Sequence, residues 1–340
     1  MNKNPEILSV IKLNSAGGEA DFENDVIKGL TSHPKSISAK YFYDHEGSLL
    51  FEDICKTQDY YPTRTEEKIL QDNIEDIFNK TKNVKCIVEL GSGTSVKTKT
   101  ILKYFATHPV NFVDTPLERG FSKLEYFPID VSDILETTVE KLKTEFPSIN
   151  ITGIMSEYEE GIEKVNELNN KPKLIIFLGS SIGNFTPAEA TNLLKVITAN
   201  MTDDDFFLIG FDMIKDRQIL HKAYNDSDCV TEAFNLNLLK RINGELGAEF
   251  NLNNFSHHAF FNEQESRIEM HLVSKNLQYV KFRKQNKEIF FDEGESIHTE
   301  NSYKFSNEMV LDITTSAGLQ KLTEWKDENK YFSLWLFKKS

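Results

Sequence analysis

The chain has 340 residues, a formal charge of −14 at pH 7, 39% hydrophobic and 27% charged side chains. This is the balance of a soluble globular protein, long enough to bury a sizeable core as one large or two closely associated domains. The acidic excess argues against nucleic acid as a partner, because binding a phosphate backbone relies on Lys and Arg to neutralise it.

At the N-terminus the apolar patch from Ile7 to Leu13 is broken by Ser9 and Lys12. It is too short for a secretory signal, and no run approaches the ~20 apolar residues of a membrane span, so no membrane partner is expected. Tyr41, Phe42, Tyr43, Tyr60 and Tyr61 form an aromatic-rich segment of the kind that packs in a core. From about residue 65, helix and strand alternate as in a parallel sheet covered on both faces. Thr65-Glu66-Glu67 opens a helix whose Ile69, Leu70, Ile74, Ile77 and Phe78 share one face. A strand at 86–90 precedes a helix through Ile101, Leu102 and Phe105. A strand near 126–130 then precedes a helix carrying Ile134, Leu135, Val139, Leu142 and Phe146. Residues 150–155 read as a third strand. The run Lys173 to Leu178, apolar without interruption after its first residue, reads as a strand at the sheet centre, buried on both faces. A helix from Pro187 leads to a fifth strand, Phe206 to Phe211.

After Asp212 the rhythm breaks. Helical spacing around 229–247 gives way to strand-like runs at 255–261, 267–272 and 280–282, which reads as a separate α+β insertion. The alternation resumes with a helix near 306–317 and two strands, Leu319 to Trp325 and Tyr331 to Phe337, close enough to form an antiparallel hairpin at the sheet edge. Cys55, Cys86 and Cys229 lie far apart with no C-x-x-C, as expected of reduced thiols in the cytoplasm rather than a disulfide framework or zinc knuckle.

Val88-Glu89-Leu90-Gly91-Ser92-Gly93-Thr94-Ser95 carries the first chemical signal. An acid at the end of a buried strand, followed by two glycines in a tight turn, brings backbone N–H groups close to a nucleoside cofactor. S-adenosylmethionine fits this better than a dinucleotide, because Val96 stands where G-x-G-x-x-G has its third glycine. A bare strand-turn-helix corner would read the same locally. The hairpin ending favours the methyltransferase form of the sheet, since dinucleotide dehydrogenases normally end parallel. Asp130 closes the second strand, where an acid can accept bonds from ribose hydroxyls or cap a helix. Gly179-Ser180-Ser181-Ile182-Gly183 spells G-x-S-x-G between a strand and a helix. A hydrolase would use Ser181 with Asp212 or Asp226 and one of His257, His258, His271 or His298, but no H-G-G-G-type oxyanion loop precedes it. Otherwise these small residues serve a turn at the ligand-binding sheet edge, with Asn184 as a polar contact. The histidines lack H-x-x-x-H spacing, and no metal is expected.

Several segments together resemble the S-adenosylmethionine-dependent histidine Nα-methyltransferases of ergothioneine biosynthesis. They are Tyr41-Phe42-Tyr43-Asp44 with Gly47-Ser48-x-Leu50-Phe51, Tyr60-Tyr61-Pro62-Thr63-Arg64, the Glu89 to Ser95 turn and Phe177 to Asn184. Phe234 to Leu239, Arg267-Ile268-Glu269-Met270 and Thr299-Glu300-x-Ser302-x-Lys304-Phe305 follow in the family's order. The resemblance implies a Rossmann-like class I methyltransferase sheet, of residues 65–214 with 305–340, and a second α+β substrate-binding domain of residues 1–64 with 215–304. It implies trimethylation of the α-amine of L-histidine to hercynine by a cytoplasmic monomer. Matching positions put Tyr43, Gly91, Lys97, Asp130, Glu157 and Tyr158 at the cofactor. Tyr60, Asn184, Tyr224, Glu300 and Ser302 would hold histidine, with Met270 lining the pocket; Tyr43 would also position the amine, and the general base is unassigned. A family member acting on tryptophan or another small amine is the alternative. The chain departs from the family pattern at Glu157-Tyr158, where Asp-Phe is typical, at Asn301, and in an extra polar stretch from Asp114 to Ser122.

Overall fold

The computed structural model describes residues 9–13, 19–108 and 123–340; the Asp114 to Ser122 stretch lies outside them. In chain order the strands are β1 (Val10–Lys12), β2 (Lys35–Ser36), β3 (Cys86–Leu90), β4 (Glu125–Asp130), β5 (Asn150–Ile151), β6 (Gly153–Met155), β7 (Lys173–Phe177), β8 (Phe206–Asp212), β9 (Phe255–Asn262), β10 (Arg267–Ser274), β11 (Gln278–Phe282), β12 (Lys287–Phe291), β13 (Ser296–Tyr303), β14 (Leu319–Lys326) and β15 (Phe332–Lys339).

The large sheet runs β1-β6-β4-β3-β7-β8-β15-β14, with β5 beside β4. Every residue of β3, β7 and β8 is buried, as continuous apolar strands covered by helices on both faces must be. The β3–β4, β3–β7 and β7–β8 pairings are parallel, and β15 turns antiparallel against both β8 and β14. This is the expected Rossmann-like methyltransferase sheet with its hairpin ending. A four-stranded sheet, β2-β13-β10-β9, and the β11–β12 hairpin make up the second body of structure. The chain leaves the large sheet at Asp212 and returns beside itself. The Phe305 N–H donates to the Asp212 carbonyl at 2.9 Å, and the Ile214 N–H to the Phe305 carbonyl at 3.0 Å. The insertion is thus hung from the carboxyl end of β8, where ligands of open α/β sheets bind.

Four expectations need correction. Val10–Lys12, assigned with residues 1–64 to the second domain, form β1, which pairs in parallel with β6 at the edge of the large sheet. Its Val10 packs with the Tyr126 and Leu135 core. The helix expected to open at Thr65 spans Tyr61–Lys80, because Pro62 occupies its first turn, where a missing N–H costs nothing. Residues 150–155 form two short strands, with the Thr152 N–H bonded to the Tyr126 carbonyl between them. Finally β13, with β2 and β12, was not anticipated, because His298, Glu300 and Ser302 break the apolar alternation by which strands are recognised.

A buried ion pair closes the amino end of β7. Asp205 accepts from Lys173 Nζ at 3.0 Å, from the Lys173 N–H at 2.8 Å and from the Thr202 N–H at 2.7 Å, with both side chains almost wholly buried. Asp205→Ala strands the ammonium and is expected to cost about 3–5 kcal/mol in urea denaturation, whereas Lys173→Met with Asp205→Leu should recover most of it.

Candidate active site

The turn after β3 is built for close approach. Gly91 and Gly93 adopt φ of +67° and +48°, and Ser95 follows at +52°. A Cβ at Gly91 would lie 2.9 Å from the Tyr158 hydroxyl, so only glycine keeps that gap open. The acids around the turn hold it in shape. Glu89 is buried and accepts from Thr98 Oγ1, from the Tyr126 hydroxyl and, at 3.2 Å, from Ser95 Oγ. Burial pushes its carboxyl up to about 7, against the pull of those bonds. Asp130 accepts from the Gly93 N–H at 2.7 Å and from the N–H and hydroxyl of Ser132 at 2.9 and 2.7 Å. It therefore ties β4 to the glycine turn and does not cap the following helix, whose N-cap position is Asp133. Ser92 Oγ and Ser156 Oγ, at the ends of β3 and β6, are buried without a partner among the described residues. Two orphaned hydroxyls, left-handed glycines and a carboxylate at one sheet edge fit the polar half of S-adenosylmethionine.

Lys97 stands between this turn and β7. It pairs with Glu66, which is fully buried and accepts from the Gly179 N–H at 2.8 Å. A Cβ at Gly210 would lie 2.1 Å from Glu66 Oε1, so glycine there makes room for the carboxylate. Glu157 occupies the N-cap position before Tyr158, 3.7 Å from Lys40 Nζ, with no side-chain capping bond.

A pocket opens beside this edge, lined by Tyr43, Phe51, Tyr60, Pro62, Gly179, Ser180, Ser181, Asn184, Asp212, Tyr224, Glu300, Ser302 and Lys304. Edge-on contacts from Tyr43 to Phe51, Phe51 to Tyr60 and Tyr60 to Tyr224, with centroids 5.7, 6.3 and 6.2 Å apart, form its aromatic wall. Burial raises the Tyr43 phenol well above its usual range, and the charges of Glu300, Tyr158 and Asp130 add to the shift. Tyr43 thus stands between the two predicted residue sets. Glu300 is pushed up to about 7 by burial, opposed by Lys304. Met270 is not among the residues named for this wall; it lies directly across the β10–β13 ladder from Glu300, on the same face of the sheet, and is buried in the cluster that holds Tyr60 and Tyr224. The G-x-S-x-G segment has a packing reason, since a Cβ at Gly183 would lie 2.9 Å from the Tyr303 carbonyl of β13.

Residues 22–339 match the family described as histidine-specific, S-adenosylmethionine-dependent methyltransferases. The chain belongs to that family. It is 38% identical over 311 residues to the histidine N-alpha-methyltransferase of Mycolicibacterium smegmatis, covering 91% of this chain and 92% of that protein. It is 35% identical over 323 residues to the Mycobacterium tuberculosis protein of the same name, covering 95% and 96%. Ergothioneine biosynthesis protein 1 of Neurospora crassa is 27% identical over 88% of this chain, which spans 32% of that longer protein.

In this methyltransferase the tertiary structure brings together residues to which neither cofactor nor substrate had been assigned. Asp212, at the end of β8, accepts from the Tyr61 hydroxyl at 2.7 Å, pairs with Lys215 and meets Lys304 Nζ at 3.0 Å. Burial alone would raise its carboxyl, but Lys215 and Lys304 bring it below the ordinary value; burial also takes Lys215 down to about 8. Glu300, Ser302 and Lys304 alternate on one side of the chain, a signal legible only once 296–303 is read as a strand. The hydrolase candidates are engaged elsewhere. Ser181 donates to the Leu178 carbonyl, Asp226 caps the helix at Val230, and both ring nitrogens of His257 are engaged, by Tyr224 O and Asn235. Glu269, His271 and His298 bring potential ligand atoms within 4.8 Å of one another, a grouping the sequence spacing hid. Arg267 already sits 2.8 Å from that glutamate, and His271 stacks on His298 at 4.8 Å.

Glu89 and Glu300 make stability pH-dependent. Each carboxyl loses its proton near 4.5 when unfolded and near 7 when folded, so the native state holds more protons between those values. Their contribution is complete below about pH 4.5 and is lost as pH rises through 7, amounting to about 3 kcal/mol each. Urea midpoints should fall from pH 5 to pH 8, and Glu89→Gln should remove about half of that fall.

Proposed function

We propose that this protein transfers three methyl groups in succession from S-adenosylmethionine to the α-amine of L-histidine, yielding hercynine, as the first step of ergothioneine biosynthesis. The observation that carries the reading is the pocket in which Tyr43, Tyr60, Asn184, Tyr224, Glu300 and Ser302 converge next to the glycine turn. Tyr43, Gly91, Lys97, Asp130, Glu157 and Tyr158 would face the cofactor, which supplies an electrophilic methyl group on its sulfonium. Lys97 would meet an anionic group by exchanging part of its pairing with Glu66.

Asn184 and Tyr224 would fix the substrate carboxylate, and Glu300 and Ser302 the imidazole nitrogens, leaving the amine beside Tyr43. An α-ammonium of pKa about 8 has no lone pair for attack, so a proton must leave nitrogen before each transfer. The N–C bond then forms as the C–S bond breaks in line, and the protein's task is placement, with no covalent intermediate. Aromatic faces of Tyr43 and Tyr60 favour the accumulating positive charge. Met270, beside Glu300 on the same face of the sheet, would support the wall of the histidine pocket. The enzyme would work in the cytoplasm as a monomer on a free small molecule, without metal or nucleic acid; no described helix is long and apolar enough to cross a membrane.

Incubation of L-histidine with enzyme and S-adenosylmethionine should give mass increments of one, two and three methyl groups. An unchanged histidine mass alongside methylated tryptophan would replace the acceptor and keep the reaction. Glu300→Ala should lower kcat/KM for histidine on the order of 10²-fold or more, because the imidazole loses its charged partner, and should narrow the preference over tryptophan.

A further inference from the structure

Lys304 is a buried ammonium at the inner end of the pocket, 1% exposed. Its Nζ lies 3.0 Å from Asp212 Oδ2, 2.9 Å from the Tyr224 hydroxyl and 2.8 Å from Ser302 Oγ. An ammonium has three N–H donors and no acceptor, so these three oxygens satisfy it completely, as a buried charge requires. The two hydroxyls are also bonded to each other, with Tyr224 Oη and Ser302 Oγ 2.7 Å apart.

Proton counting fixes what this pair can offer a ligand. Each hydroxyl oxygen already accepts one bond from Lys304. Of the two hydroxyl protons, one lies between the oxygens, and a single proton remains to point into the pocket. If Ser302 donates to Tyr224, the Tyr224 hydroxyl is the outward donor, and Ser302 keeps a lone pair for an imidazole N–H. If Tyr224 donates to Ser302, the phenol has no proton to give a carboxylate. The local charges decide between these. Lys304 is the charge in direct contact with both hydroxyls, so an anion is drawn to this end of the pocket, and an anion must be met by a donor.

We propose that Lys304 is a positioning residue that sets the direction of the Tyr224–Ser302 hydrogen bond, so that Tyr224 donates to the substrate carboxylate and Ser302 accepts from its imidazole. This rests on the histidine reading above and adds to it a residue that links the two ends of the amino acid. Lys304 acts through both hydroxyls without needing to touch the reacting nitrogen. Its removal leaves Asp212 still partnered by Lys215 and the Tyr61 hydroxyl, so no buried carboxylate is orphaned.

The test is titration calorimetry of S-adenosylhomocysteine-loaded enzyme with L-histidine and with L-histidinamide, in which a neutral amide replaces the carboxylate. Lys304→Met should weaken histidine on the order of 10- to 100-fold and histidinamide by less than about threefold, with affinity for S-adenosylhomocysteine unchanged. In turnover the loss should appear as a raised KM rather than an equal fall in kcat. Lys304→Gln, which keeps a hydrogen-bonding head group, is the second variant should the methionine protein not fold, and it should show the same selective loss. Equal weakening of both ligands, or none, in either folded variant overturns the proposal while leaving the histidine reading intact. Wild-type enzyme that binds cofactor product but not histidine overturns both.

Discussion

Asp212 is the point on which the two bodies of structure and the site all converge, because it is a carboxylate buried at the end of a central strand and must be paired where it stands. Its partners come from three places: Tyr61 at the start of the first long helix, Lys215 just beyond β8, and Lys304 just beyond β13. Removing the carboxylate at the centre of this cluster would leave both ammonium groups uncompensated in a medium that solvates them poorly. The requirement locks the return of the inserted segment against its departure, and the backbone bonds between Asp212 and Phe305 repeat the constraint in the main chain. The pocket floor is therefore held by paired charges and by main-chain bonds together.

The same logic runs through the cofactor edge. Glu89, Asp130 and Glu66 all lie where an acid invites assignment to a ligand, yet each is engaged in shaping the loops. Glu89 gathers three hydroxyls beneath the glycine turn, Asp130 holds the Gly93 N–H, and Glu66 holds the Gly179 N–H while facing Lys97. Backbone N–H groups and glycines need such fixing, because a turn free to move would pay the ordering cost when the ligand binds.

On the opposite wall a register shift between Met270 and His271 sets the site. Met270 faces Glu300 and His271 faces His298, so Thr299 is the extra residue, and its hydroxyl is absorbed by Asn235 Oδ1 and the Met270 carbonyl. A bulge at this point re-aims the residues that follow it, and those are Glu300, Ser302 and Lys304. Met270, opposite Glu300 in the ladder, shares its face of the sheet and packs in the cluster that holds Tyr60 and Tyr224.

Continuous apolar strands, a glycine turn after an acid and a closing hairpin were legible in the sequence, because each is a local pattern with a local physical cause. The ordered segments from Tyr41 to Phe305 likewise named the residues that meet in the pocket. What the pattern could not convey was every feature that depends on partners distant in the chain. The addition of β1 to the large sheet, the polar strand β13, the engagement of Asp130 with Gly93 and the Asp212–Lys304–Tyr224–Ser302 chain all arise from pairings across more than twenty residues. The sequence by itself determined the layers and the chemical class, since hydrophobic period and turn chemistry act over a few residues. Only the tertiary structure decided which buried charges face one another, because a charge in a core takes its state from whatever the fold brings beside it.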